Sequence, residues 1–209
     1  MGIPIKKIAV FAMAAVMPAA QTGNAKVRVL VYDLAYLPPP VLAAAEREAA
    51  GVFAAAGVEV IWALGSPSAA EAHESDFSGQ APHQGSCQGR SRSTIRLRIV
   101  ERAPPGFNRY ALGLALPCAK FGVDTTIFRD RIEDVAQNAA AVVPKILGHA
   151  IAHELGHVLL RSNGHSIKGL MGARWSQSDF HTVTTALLPF TPEEAARIRQ
   201  EVSRDSRAP

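Results

Sequence analysis

The sequence of 209 residues is poor in cysteine, in net charge and in long apolar runs. Its two cysteines, Cys87 and Cys118, stand far apart with no C-x-x-C spacing, which argues against a cysteine-based zinc site. The formal net charge is +4, and +2 once Lys6 and Lys7 are set aside, too mild for a nucleic-acid binder. Arginines do cluster between Arg90 and Arg102. Within "TIRLRIV", however, Arg96 and Arg98 alternate with Ile95, Leu97 and Ile99, which reads as the solvated face of a half-buried strand. The apolar run near the N-terminus is about a dozen residues long, whereas a bilayer span needs roughly 20. No stable membrane anchor is expected, and no internal repeat is found.

What is there begins with "MGIPIKKIAVFAMAAVMPAAQTGNAKVRV". Lysines, an apolar run and then small residues form the pattern of a secretory signal peptide over residues 1–25, cut after Ala20 or Ala25. An uncleaved anchor or a buried first element is the alternative. No cysteine sits there for a lipid anchor. Residues 26–209 fit a single domain, with the 48% hydrophobic content of a chain that has a core. The leader implies a periplasmic or secreted protein, expected to be a monomer. In that oxidising setting Cys87 and Cys118 are candidates for a disulfide, the alternative being two free thiols.

Along the chain, "KVRVLVYDL" (26–34) alternates as a strand. Prolines and alanines follow, with Leu42, Ala45, Ala49, Val52 and Phe53 at helical spacing and Gly57 as the stop. "VEVIWAL" (58–64) is a second strand, and the strand–helix–strand order implies a parallel pair. Residues 65–93 read as a long polar loop, whose His73 and His83 are expected to be solvated rather than ligands. Further strands are expected at "STIRLRIVE", at "YALGLALP" (110–117) and at "DTTIFRDRI" (124–132). Gly113 and Pro117 make the second of these an edge. A long helix over 139–162 follows, with Pro144 in its first turn and Asn163-Gly164 as its stop. Irregular chain then leads to a last helix, with Thr191 and Glu194 as a capping box.

The long helix carries "HELGH": His153, Glu154, Leu155, Gly156, His157. Residues four apart on a helix lie about 40° apart around the axis, so both imidazoles can point at one ion. A catalytic zinc usually takes three protein ligands at about 2.0–2.1 Å and leaves a place for water. Glu154 lies next to His153 and can serve the water rather than the metal. It is the candidate general base, taking a proton as water attacks a carbonyl and passing it to the leaving amine. His149, one turn earlier, is expected to have a supporting role.

This arrangement resembles the metzincins, zinc metallopeptidases that read H-E-x-x-H-x-x-G-x-x-H before a methionine turn. The sequence departs from that pattern, with Leu160 in the place of glycine and Asn163 in the place of the third histidine. Gly164 and His165 come slightly later, then "GLM" with Met171. A helix lengthened by about a turn would explain the displacement. The resemblance implies His165 as third zinc ligand and Met171 as the floor beneath the histidines. Asp179, His181 and Glu193 are fallback ligands, since related zinc peptidases use a downstream acid. It also implies an α/β (α+β) fold: a mixed, mostly parallel sheet of about five strands, a backing helix, an active-site helix and a small C-terminal helical subdomain. "ALGLALP" takes the place of the edge strand that aligns substrate by main-chain pairing. No tyrosine follows Met171 to stabilise an oxyanion, which leaves that role to zinc.

The expectation is therefore an exported zinc metallopeptidase acting on a peptide or protein substrate. His153, His157 and His165 are its metal ligands and Glu154 its general base. The alternative is a non-catalytic zinc-binding interaction module outside the cytoplasm.

Overall fold

The computed structural model describes residues 25–65, 94–118, 124–137 and 139–205. All of the expected leader except Ala25, the polar loop with His73, His83 and Cys87, and hence the pairing of Cys87 with Cys118, lie outside them.

The strands are β1 (Ala25–Asp33), β2 (Val58–Leu64), β3 (Thr94–Val100), β4 (Gly113–Ala115) and β5 (Thr125–Phe128). They form one sheet in the order β2-β1-β3-β5-β4. All pairs are parallel except β4–β5, so the sheet is mixed and mostly parallel, with β4 at its edge as expected. The described strand β1 begins at Ala25, which already pairs with Val58. Alternation puts Val27, Val29 and Val31 of β1 on the same face as Ile95, Leu97 and Ile99 of β3, all buried. Two helices, α1 (Pro39–Ala55) and α3 (Val143–Leu160), pack against each other and join this core. Their approach is close: a Cβ on Gly148 of α3 would meet the Ala45 carbonyl oxygen of α1 at 2.6 Å. Alanines on α1 (Ala45 and Ala49, both buried) make room for that approach. Among the described residues no helix is long and apolar enough to cross a membrane.

Three expectations are corrected. The fifth strand stops at Phe128, and the chain turns directly into α2 (Arg129–Ala136) rather than running extended to Ile132. Ile132 and Ala136 lie one turn apart on the buried face of α2, and Arg129 bonds Glu133 at 2.7 Å across the same interval. Residues 177–185 form α4 (Gln177–Thr185), not irregular chain. Ser176 and Asp179 cap it reciprocally. Arg98 is not on a solvated face: it is 7% exposed in a central strand. The last helix, α5 (Pro192–Asp205), begins with the expected box, in which the Glu194 N–H donates to Thr191 Oγ1 and the Thr191 N–H donates to Glu194 Oε2.

Candidate active site

Helix α3 presents His153 and His157 one turn apart, with their Nε2 atoms separated by 3.1 Å. The opposite nitrogens are already committed. His153 Nδ1 lies 2.7 Å from the Leu170 carbonyl oxygen, and His157 Nδ1 lies 2.8 Å from that of Ser162. A carbonyl can only accept, so each Nδ1 carries the proton and each Nε2 turns a lone pair toward the other. Two lone pairs at that distance repel unless a cation lies between them. Two nitrogens on one tetrahedral zinc, at about 2.0–2.1 Å each, are themselves about 3.3 Å apart. The donor pair therefore fits zinc.

His165 completes the group. The ligand atoms of His153, His157 and His165 all lie within 4.8 Å of one another. Burial holds the pKa of both helix histidines below the ordinary imidazole value, that of His153 at about 4. Both rings are thus neutral near pH 7, the form that ligates a metal. Glu154 is 8% exposed, and burial pushes its carboxyl up to about 8. A neighbouring cation would act in the opposite sense.

The path to His165 differs from expectation. Helix α3 ends at Leu160, and Arg161 takes a left-handed φ of 52°, so the helix is not lengthened and Asn163-Gly164 is not its stop. An L-residue pays about 1–2 kcal/mol for that conformation. Here the Arg161 guanidinium is held by Glu201 at 3.1 Å and Asp205 at 2.9 Å, both on α5. No glycine marks the turn, so local sequence carried no signal for it. The next peptide groups serve the site: the Ser162 N–H donates to the His157 carbonyl at 3.1 Å while the Ser162 carbonyl receives the ring of His157. After His165, the Ser166 N–H donates to the Met171 carbonyl at 2.9 Å, and the Ser166 hydroxyl donates to Glu194 Oε1.

Met171 is fully buried against the active-site helix. A Cβ on Gly156 would lie 2.7 Å from Met171 Sδ and 2.8 Å from the Phe190 ring, so the glycine of "HELGH" admits both side chains. His149 has a supporting place, as expected: its Nδ1 lies 2.8 Å from the Lys145 carbonyl oxygen, and its Nε2 accepts the Leu188 N–H at 3.0 Å. The fallback ligands lie elsewhere. Asp179 caps α4, while His181 and Glu193 are exposed, and none belongs to the three-histidine group.

The site opens into a cleft of about 570 Å³. One wall is β4 and the residues before it; the other is the segment Gly172–Trp175. A Cβ on Gly113 would lie 2.9 Å from Glu154 Cγ and 2.7 Å from the Thr126 carbonyl oxygen. The glycine that weakens the edge strand in sequence is what lets that strand pass directly over Glu154. Sequence reasoning missed Trp175, whose Nε1 donates to the same Leu170 carbonyl at 3.0 Å and whose ring stands edge-on to His153. It also missed Arg109, Tyr110 and Arg174 at one end of the cleft. A tryptophan four residues after a buried methionine was the available hint for the first; the others come together only in three dimensions.

No protein-family model matches the chain, and no curated protein matches it in sequence. Among solved structures, it is similar to a zinc-dependent peptidase from Methanocorpusculum labreanum at a TM-score of 0.52 and 12% identity, covering 81% of this chain and 99% of that one. An archaemetzincin from Methanopyrus kandleri aligns at a TM-score of 0.46 and 17% identity, over 90% of this chain and 100% of that one. The first likeness shows a shared fold, a mixed, mostly parallel sheet with helices.

Proposed function

We propose that this chain is an exported zinc metallopeptidase of metzincin-like build, with Cys87 and Cys118 paired. The observation that carries the proposal is the convergence of three imidazoles beside a buried carboxyl, directly under the edge strand of the described sheet. His153, His157 and His165 would hold the zinc, and Met171 is the floor below them. When bound, zinc supplies Lewis-acid polarisation for attack of water on a peptide carbonyl.

The chain's own residues do the rest. On either side of β4 the Leu112 carbonyl accepts the Phe128 N–H and the Leu116 N–H donates to the Asp124 carbonyl. Antiparallel alternation then turns the main-chain groups of Gly113 and Ala115 to the free edge, where an extended peptide can pair. Such a peptide lies over Glu154. That carboxylate takes a proton from the attacking water and gives it to the departing amine. Its burial, which favours the protonated form, assists the first transfer. The carbonyls of Leu170 and Ser162 keep both helix histidines in the ligating tautomer.

The test is casein or peptide cleavage by the purified chain, with and without 1,10-phenanthroline, alongside Glu154→Gln. The variant should keep its zinc and lose at least about a hundredfold in rate, since general acid–base catalysis contributes roughly 10²–10⁴-fold. Near-normal turnover by Glu154→Gln would sink the mechanism. Zinc binding with no hydrolysis of any peptide would favour a non-catalytic interaction module instead.

A further inference from the structure

One end of the cleft carries charge that hydrolysis itself does not use. Tyr110 projects from the wall before β4 and is 56% exposed. Arg174, from the segment after Met171 on the opposite wall, places its guanidinium carbon 4.4 Å from the centre of the Tyr110 ring. That of Arg109 lies at 5.1 Å from the same ring. The three side chains thus bridge the two walls. Among the described residues, neither Arg109 nor Arg174 forms an ion pair with a carboxylate. Arg131 Nη1 donates to the Arg109 carbonyl at 3.4 Å and steadies that backbone. The only carboxylates among the described residues lining the cleft are Asp134, which is exposed, and the buried Glu154. Arginines outnumber them there.

A guanidinium over an exposed aromatic ring gains only about 0.5–1 kcal/mol. Stacking uses its face and leaves its in-plane N–H donors available. Those donors form a fork suited to a carboxylate, the strongest partner a peptide can offer. Direction follows once the substrate is taken to pair antiparallel to β4, as β5 does on its other side. A peptide antiparallel to β4 has its C-terminal part at the Gly113 end, and Tyr110 lies beyond that end.

We infer that Arg109 and Arg174, held against Tyr110, form a carboxylate-binding end of the cleft that takes an acidic group of the substrate on the C-terminal side of the scissile bond. This rests on the peptidase reading above, with the substrate paired antiparallel to β4. The carboxylate has two sources, an acidic side chain or a free C-terminus close behind the cleaved bond.

The test measures binding and cleavage separately. Fluorescently labelled peptides are titrated against full-length Glu154→Gln, followed by polarisation. They come in two pairs: glutamate against glutamine after the cleaved position, and a free C-terminus against its amide. At least one acidic peptide should bind about tenfold more tightly than its neutral partner, as expected for charge-assisted hydrogen bonds. Which pair shows the ratio identifies the source. Adding Arg174→Gln or Arg109→Gln should bring that ratio toward one, while Arg174→Lys, which keeps charge without the fork, should retain part of it. Equal binding within both pairs, or binding of no peptide at all, overturns the inference. The same peptides are offered to the unaltered chain. If it cleaves them without distinguishing acid from neutral, the carboxylate site falls and the peptidase stands. Arginine-dependent binding without any cleavage leaves the carboxylate site and removes the peptidase.

Discussion

His153 and His157 each give one ring nitrogen to a main-chain carbonyl and keep the other for the site, so their tautomers are set before any ligand arrives. His165 has a different standing: it is exposed, and its place depends on the loop that carries it. Replacing it by alanine should weaken zinc binding by more than the roughly 10–100-fold that losing a supporting partner costs. His181→Ala and Asp179→Ala should leave zinc almost unchanged, although the second also removes a helix cap. Zinc remaining after dialysis against a mild chelator measures all three. Full zinc in His165→Ala, with loss in either of the others, would require a different ligand set. The helix pair and Glu154 were legible in sequence because helical geometry alone brings residues four apart together. His165 was legible as a candidate through its resemblance to a motif, but its route was not, because the turn at Arg161 is fixed by Glu201 and Asp205 some forty residues on. Tyr110 and Arg174 meet across the cleft and leave no local pattern at all.

At the scale of elements, helix ends do much of the positioning. Glu194 caps α5 with one oxygen and accepts the Ser166 hydroxyl with the other, beside His165. The two duties can be separated. Thr191→Ala removes the capping hydroxyl with its methyl, leaves Glu194 in place, and should cost about 1 kcal/mol of stability with zinc retention unchanged. Glu194→Ala should lose stability and also release zinc faster, because the loop behind His165 comes free. Urea unfolding and the rate of zinc transfer to a chromogenic chelator separate the two effects; equal zinc loss in both variants would deny Glu194 its second duty. Element type was readable wherever apolar period and punctuation agreed, as in β1, α1 and β2. It failed at Phe128, where a strand passes into α2 with no breaker between them. It failed again at α4, although Ser176 and Asp179 stood at the spacing of a capping box, because the segment holds a single buried apolar residue, Val183, and so shows no stripe.

For the whole molecule, the site makes stability depend on pH when zinc is withdrawn. Burial lowers the pKa of His149, His153 and His157, the second to about 4. Below their ordinary value the unfolded chain binds protons that the folded chain refuses. Their contribution is therefore complete above pH 6.5 and is lost as pH falls, for His153 down to about 4. Glu154 works in the other direction. Its pKa is raised to about 8 from 4.5, so its contribution is complete below 4.5 and is lost as pH rises to about 8. Between 4.5 and 6.5 the histidines outnumber the carboxyl, and above 6.5 the carboxyl acts alone. The metal-free chain should therefore show a contribution from these groups that peaks near pH 6.5 and falls on both sides. Glu154→Gln should abolish the fall on the alkaline side and leave the acid side in place. Zinc reverses the alkaline trend, since it binds deprotonated ligands and stabilises the folded chain by an amount that grows with the logarithm of free zinc over its Kd. Urea midpoints from pH 4 to 9, for the chelated chain, the zinc-loaded chain and Glu154→Gln, measure each slope. A chelated chain that keeps its stability between pH 6.5 and 8 would show that Glu154 is already ionised in the folded state, contrary to the effect expected of its burial.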